Sequence, residues 1–196
     1  MTDVPTPHGT ARVEVDRPDR PISLLVLGHG AGGRVDAPDL LAVCDAALAC
    51  SVAVARVTQP YRLAGRRAPA PAGQLDTAWA AVLATLRPMD LPLIVGGRSS
   101  GARVACRTAR AVGAAGIVAL AFPLHPPGRP ERSRADELVT GLPTLVVNGD
   151  RDPFGVPDAG PDVEVCLRPG EGHNLHRDPG AVGALVAGWL ARHGWA

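Results

Sequence analysis

The stretch LIVGGRSSG, residues 93–101, combines a short apolar run with a serine that has a glycine two positions away on each side. Its last five residues match G-x-S-x-G, a pattern in which a serine occupies a strained turn between a buried strand and a helix. The helix-compatible stretch 102–112 follows directly. The segment therefore predicts a turn that exposes Ser99 as a nucleophile and aims the N–H of Ser100 at an oxyanion. A glycine-rich turn without a chemical role would match the same five residues, so this interpretation needs support from elsewhere in the chain.

Apolar runs on both sides of this segment predict the sheet to which it belongs. They are dense in leucine, isoleucine and valine, as strands covered on both faces are. The runs cover residues 22–27, 52–57, 93–95, 117–121 and 144–147. Residues 163–167 predict a short last strand. Residues 11–16 alternate between apolar and charged side chains, which indicates a half-exposed strand at an edge of the sheet.

Three further stretches carry apolar residues at the three-to-four spacing of one helix face. They cover residues 39–49, 74–86 and 179–192. The last has Asp178 and Pro179 at its N-cap and first helical positions. Because strands that alternate with helices form right-handed βαβ units, the fold class is α/β, a doubly wound, mostly parallel sheet of about seven strands flanked by helices. The length fits a single domain over residues 1–196.

The composition of the chain indicates which classes of partner it can bind and in which compartment it is expected. The formal net charge is +1 and 46% of the residues are hydrophobic, which argues against disorder and against a nucleic-acid partner. The first residues lack the features of a secretion signal, and no stretch approaches the ~20 apolar residues that span a bilayer. All 20 basic residues are arginine, which favours a bacterial source. A cytoplasmic protein without membrane contact is expected, and nothing in the sequence predicts its oligomeric state.

The four cysteines have neither C-x-x-C spacing nor the density of a disulfide scaffold. We expect buried, reduced thiols at Cys44, Cys50, Cys106 and Cys166. The histidines show no H-E-x-x-H pairing, so no metal site is expected.

A serine nucleophile needs a base and an acid, and with this motif the acid precedes the histidine in the chain. The segment NGDRDP, residues 148–153, follows a predicted strand and carries two carboxylates. Asp152 is the predicted acid and Asp150 the alternative, although both could simply make hydrogen bonds within the turn. Further on, the sequence GEGH predicts His173 as the base on a glycine-flexed loop, with His176 also available.

The segment GHGAGG, residues 28–33, follows an early strand and predicts the loop that supplies a second oxyanion donor. Ala31 is the predicted donor, and Gly30 and Gly32 are expected to bind substrate by letting it approach the backbone. The same residues match G-x-G-x-x-G, so a dinucleotide-binding oxidoreductase is an alternative. That motif requires an acidic residue about 20 positions later, and the sequence has VARV at residues 54–57 instead.

Two loops rich in proline, glycine and arginine, residues 60–73 and 123–136, follow predicted strands. Since open α/β sheets bind ligands beyond the carboxyl ends of their strands, we expect both loops to rim the site. Both could instead be ordinary solvated connections. The second loop is too short for two packed helices of average length, about 11 residues each, so no large lid is expected.

With these motifs in order, the chain resembles the α/β-hydrolase superfamily from residue 11 onward. The matching segments are HGAGG at 29–33, GGRSSG at 96–101, NGDRDPFG at 148–155 and GEGHNLH at 170–176. In detail it is similar to the short, lidless branch related to dienelactone-hydrolase-like proteins and to a hydrolase-like domain of a chromatin acetyltransferase complex subunit. The resemblance implies catalytic roles for Ser99, Asp152 and His173. Dienelactone hydrolase itself uses a cysteine nucleophile, so Ser99 argues against that specific activity.

The expected function is a serine hydrolase that cleaves small carboxylester or thioester substrates through an acyl-enzyme. Ser99 attacks, His173 accepts its proton, Asp152 orients the imidazole, and the N–H groups of Ala31 and Ser100 bind the oxyanion. The expected partner is a small ester-like molecule, and no cofactor is implied. The alternative from another class is a catalytically silent interaction module with the same fold, because this fold hosts many functions.

Overall fold

The computed structural model describes residues 1–86 and 91–196, and within them eight strands form one sheet flanked by five α-helices. The strands are β1 (Thr2–Thr6), β2 (Gly9–Asp16), β3 (Ser23–Gly28), β4 (Val52–Thr58), β5 (Leu93–Arg98), β6 (Gly116–Leu120), β7 (Thr144–Gly149) and β8 (Val163–Arg168). The helices are α1 (Pro38–Ala49), α2 (Pro60–Leu63), α3 (Ala72–Leu86), α4 (Ser100–Thr108) and α5 (Pro179–Arg192). A 3₁₀ helix spans Ala135–Leu138.

The strand order is β1-β2-β4-β3-β5-β6-β7-β8, and the six strands from β4 to β8 run parallel. This confirms the doubly wound, mostly parallel α/β fold. The prediction that residues 11–16 form an edge strand was wrong, because β1 pairs antiparallel with β2 and covers it. The sheet has eight strands where about seven were expected, and the additional strand is β1.

The helices cover both faces of the sheet, and the alternation of side chains along each strand supplies both cores. In β3, Leu24 and Val26 pack with α3 and α4, whereas Leu25 and Leu27 pack with α1 and α5. The side chains of all four leucine and valine residues are buried. Burial on both faces explains why β3 reads as a continuous apolar run rather than an alternating one.

The predicted helices match α1, α3 and α5 closely. The N-cap prediction for α5 holds, since the carboxylate of Asp178 accepts a hydrogen bond from the N–H of Ala181 at 3.1 Å. Helix α4 begins earlier than the predicted 102–112, directly after Ser99, and ends at Thr108. The segment 60–73, expected as a loop, contains α2 and the start of α3.

The register of the parallel strands aligns the loops that carry the motifs. Gly28 at the end of β3 pairs with Gly97 in β5, so the 29–33 loop leaves the sheet beside the turn at Ser99. Gly149 at the end of β7 pairs with Arg168 of β8, so the acid and histidine loops also leave side by side. Between β6 and β7 the chain forms the 3₁₀ helix and no α-helix, which confirms the absence of a large lid.

All four cysteines are free, but the prediction that all are buried was wrong. Cys44 and Cys106 are buried, and burial raises the pKa of their thiols to about 11 and about 12. Cys50 and Cys166 are only partly buried.

Candidate active site

The turn between β5 and α4 has the strained geometry that its sequence predicts. Ser99 has φ 52° and ψ −108°, a left-handed conformation that is rare for residues other than glycine. A Cβ atom added at Gly97 or at Gly101 would lie 2.4 Å from the carbonyl oxygen of Gly28. Glycine at both positions therefore lets the turn approach the end of β3 closely, and the turn holds Ser99 at the carboxyl edge of the sheet.

The loop after β8 brings His173 to this turn. The Nε2 atom of His173 lies 2.8 Å from the Oγ atom of Ser99, and Nδ1 lies 2.8 Å from Oδ2 of Asp152. A carboxylate can only accept hydrogen bonds, so the proton of the neutral imidazole resides on Nδ1 and leaves Nε2 as the acceptor for the Ser99 hydroxyl. The three side chains form one continuous hydrogen-bonded chain.

The two candidate acids have different surroundings. The side chain of Asp152 is 0% exposed, and its Oδ1 accepts a hydrogen bond from the N–H of Phe154 at 2.8 Å. Asp150 is exposed, and its Oδ1 accepts from the N–H of Gly170 at 2.8 Å. Asp152 therefore contacts the imidazole, whereas Asp150 joins the backbones of two loops.

His176, the alternative base, is exposed. It lines a cavity of about 240 Å³ together with five other residues. These are Ala37, Pro38, Asp39, Arg98 and Asn174.

Phe154 is a site residue that the sequence analysis missed, although it lies in the DPFG segment that the resemblance quoted. Its ring stacks on the imidazole of His173 with a centroid distance of 4.1 Å and an angle of 29° between the planes. Its backbone N–H meanwhile holds the carboxylate of Asp152. One residue thus restrains both the ring and its acidic partner, so the imidazole has little freedom to rotate.

The 29–33 loop lies against the nucleophile turn. A Cβ atom at Gly30 would lie 3.6 Å from Cβ of Ser99, so Gly30 borders the serine directly. A Cβ atom at Gly32 would meet nothing within 4 Å, so packing does not require glycine there. The N–H of Ser100 opens α4, where no earlier turn offers an intrahelical acceptor.

Three side chains hold the carbonyl groups of this loop. Nδ1 of His29 donates to the carbonyl of Gly30 at 2.7 Å, and its Nε2 accepts from the N–H of Gln59 at 3.1 Å. The hydroxyl of Tyr61 donates to the carbonyl of Ala31 at 2.6 Å, and Nε of Arg62 donates to the carbonyl of Gly33 at 3.1 Å. Tyr61 and Arg62 belong to the 60–73 segment, but no local pattern pointed to these contacts.

Burial determines the protonation state of two of these three side chains, His29 and Tyr61. It lowers the pKa of His29, so the ring is neutral and can accept from the Gln59 N–H. It raises the pKa of Tyr61 to about 12, so the hydroxyl keeps its proton and remains a donor.

The loop lacks the geometry of a dinucleotide site. In that motif the third glycine opens a helix whose N-terminus faces the pyrophosphate. Here Gly33 closes a turn through its N–H to the carbonyl of Gly30 at 3.0 Å, and α1 begins only at Pro38. Gly30 instead borders Ser99.

Within the two described segments, no helix is long and apolar enough to cross a bilayer. The described residues also include no group of three or more histidine, cysteine or acidic side chains placed to hold a metal ion. In the arrangement at Ser99, Nε2 of His173 can take the hydroxyl proton while the carboxylate of Asp152 keeps the proton on Nδ1 and balances the charge of the ring, which is the chemistry of an activated serine.

A family model described as an alpha/beta hydrolase domain matches residues 21–165. None of the curated proteins compared with the chain matches it.

Solved structures share the fold at low identity. An α/β serine hydrolase without a lid from Xanthomonas campestris is 19% identical over 98% of this chain and 93% of that chain, with a TM-score of 0.80. Est1E from Butyrivibrio proteoclasticus, solved with ferulic acid bound, is 16% identical over 98% of both chains, with a TM-score of 0.81. A dienelactone hydrolase from Anabaena variabilis is 16% identical over 97% of this chain and 95% of that chain, with a TM-score of 0.76. At these identities the likeness concerns the fold alone.

Proposed function

The chain belongs to the α/β-hydrolase domain family, and from this premise we propose that it is a serine hydrolase that cleaves small ester-like substrates through an acyl-enzyme. Ser99 is the nucleophile, His173 the general base and acid, and Asp152 the group that orients the imidazole. The observation that supports this assignment is the pair of 2.8 Å contacts from His173 to Ser99 and to Asp152. A single rotamer of one ring satisfies both contacts.

The proposed reaction has two halves. In the first, Oγ of Ser99 attacks the carbonyl carbon while Nε2 of His173 takes the hydroxyl proton, and the imidazolium then gives that proton to the departing alkoxide or thiolate. In the second, water attacks the acyl-enzyme, again losing its proton to Nε2, and the serine recovers its proton as the acid leaves. The buried carboxylate of Asp152 stabilises the imidazolium in both halves.

The proposed oxyanion donors are the N–H groups of Ala31 and Ser100. In a trans peptide the carbonyl and the following N–H point in opposite directions. Because His29 holds the carbonyl of Gly30, the N–H of Ala31 points away from the His29 ring. Such a donor contributes about 3 kcal/mol of transition-state stabilisation in comparable sites. The position of Gly30 beside Ser99 supports a role for this loop in binding substrate.

Hydrolysis of p-nitrophenyl acetate tests the proposal. The protein should release p-nitrophenol with a burst equal to the concentration of sites, and Ser99→Ala should lower kcat by about 10⁴-fold or more. Ser100→Ala is the matched control, because it retains the backbone N–H and should keep the activity. A folded protein that hydrolyses none of a panel of p-nitrophenyl esters and thioesters would instead support the silent interaction module.

A further inference from the structure

The residue before the nucleophile, Arg98, has no part in the proposed reaction, yet its side chain is only 13% exposed. Arginine is rarely buried unless it is paired. Its Nη2 donates to the carbonyl of His173 at 3.1 Å and to Oδ1 of Asn174 at 2.7 Å. Its Nε lies 3.0 Å from Oδ2 of Asp39. One guanidinium therefore joins β5, the histidine loop and α1.

Asp39 is the anchor on the third element. Its side chain is 1% exposed and lies in the first turn of α1. Burial raises the pKa of this carboxyl, and the charge of Arg98 is the main influence that lowers it. A carboxylate so deeply buried requires a compensating charge, and the ion pair in turn fixes the position of the guanidinium.

The histidine loop needs an external restraint. Leu175, two residues after His173, is fully buried with φ 45°, a conformation that costs free energy for a residue with a side chain. Glu171 braces the far part of the loop, since its carboxylate accepts from the N–H groups of Arg177 and Asp178. Arg98, which directly precedes the nucleophile, instead contacts the loop at the carbonyl of His173.

We propose that Arg98, held by Asp39, is a positioning residue that fixes the backbone of His173 relative to Ser99. Because Arg98 and Ser99 are adjacent in the chain, the hydrogen bond from the guanidinium to the carbonyl of His173 links the nucleophile turn directly to the backbone of the base. A misplacement of about 1 Å in such a pair can cost about 100-fold in rate. The inference rests on the proposed function in so far as it concerns catalysis, but the restraint on the loop is independent of activity.

Arg98→Met tests the proposal, with Arg107→Met as its matched control. Arg107 is similarly buried at 19% exposure, and its guanidinium pairs with Asp76 of α3 at 2.6 Å and with Glu137 of the 3₁₀ helix at 3.4 Å rather than with the histidine loop. Arg98→Met should lower kcat for p-nitrophenyl acetate by about 100-fold with KM little changed. Arg107→Met should lower the unfolding midpoint but keep kcat.

Conservative variants sharpen this comparison. Arg98→Lys should recover part of the lost kcat, because lysine keeps the charge but has a single nitrogen, whereas the guanidinium uses Nε at Asp39 and Nη2 at the loop. Asp39→Asn should lose less than Arg98→Met, since both hydrogen bonds to the loop remain. If Arg98→Met fails to fold, Arg98→Lys carries the same comparison with Arg107→Met. Full kcat in Asp39→Asn would remove Asp39 from the proposal.

Hydrogen exchange over residues 170–178 provides a readout that does not depend on catalysis. Arg98→Met should accelerate exchange in this loop, and Arg107→Met should not. A wild-type protein without esterase activity would overturn the proposed function and leave the exchange result to decide the restraint. The positioning role would be overturned if Arg98→Met kept wild-type exchange in the loop, or if its loss of kcat were no larger than that of Arg107→Met.

Discussion

At the residue scale, the carboxylates of Asp152 and Asp150 each accept a hydrogen bond, but from different partners. The two positions can therefore be compared directly. Asp152 contacts Nδ1 of His173, and Asp150 contacts a backbone N–H at Gly170. Asp152→Asn places an amide against Nδ1 and favours the wrong tautomer, so kcat should fall by about 10⁴-fold as in comparable triads. Asp150→Asn should keep most activity, because an amide oxygen can still accept from Gly170. The reverse pattern would show that Asp150 orients the base.

A second prediction at this scale concerns His29, whose pKa burial lowers from its ordinary value of 6.5. The unfolded chain takes up a proton below that pH before the folded protein does, so the stability contributed by neutral His29 is present above about pH 6.5 and is lost as pH falls further. The difference in free energy of unfolding between wild type and His29→Gln should therefore shrink between pH 7.5 and pH 5, by at most about 1.4 kcal/mol per pH unit. Chemical unfolding at several pH values measures it, and a difference that grows on acidification would contradict this account.

Among the elements, the turn from β5 to α4 is the most sterically restricted. A Cβ atom at Gly101 would lie 2.4 Å from a backbone oxygen and 2.5 Å from a backbone carbon of Gly28, neither of which can move alone. Gly101→Ala should destabilise the protein by about 1–3 kcal/mol and lower kcat, because the turn and the 29–33 loop are pushed apart.

The control for this substitution is Gly73→Ala in α3. A Cβ atom at Gly73 would meet nothing within 4 Å. Alanine there should stabilise the helix by up to ~1 kcal/mol and leave kcat unchanged. Thermal unfolding and steady-state kinetics on both variants provide the comparison, and an unaffected Gly101→Ala variant would disprove the steric argument.

At the scale of elements, the sequence predicted the features that short stretches of residues specify. Apolar runs and helical spacing identified seven strands and the long helices. The order of the motifs, together with the resemblance to a known family, selected Ser99, Asp152 and His173, which the fold brings within hydrogen-bonding distance. Strand β1 was not predicted, because Thr2–Thr6 contains Pro5 and few apolar residues. Its pairing with β2 identifies it as a strand.

The surroundings of the site depend on contacts between distant residues, which no local pattern records. Tyr61 reaches Ala31 across 30 positions, and Arg98 reaches Asn174 across 76. Only the register of the sheet brings these residues together. Phe154 is the exception, because it lies inside a motif segment, but its stacking on His173 follows from the path of two separate loops.

For the whole molecule, the absence of a large lid determines the expected substrate. The chain between β6 and β7 forms only a 3₁₀ helix, so no helical lid in this connection supplies an apolar wall for a substrate. A long acyl chain would gain little of the ~0.8 kcal/mol per CH₂ that full burial supplies. In a series of p-nitrophenyl esters at fixed pH, kcat/KM should be highest from acetate to butyrate and should fall for longer chains. A maximum at octanoate would reveal an apolar channel that this account lacks.

The central claim is that Ser99 is an activated nucleophile, and covalent labelling of the intact protein tests it most directly. A fluorophosphonate should add once per molecule, and peptide mapping by mass spectrometry should locate the adduct on Ser99, with the rate reduced by His173→Ala because the hydroxyl then has no base. Modification of Ser100 instead of Ser99, or no adduct on the folded wild-type protein under conditions that label a known serine esterase, would contradict the account.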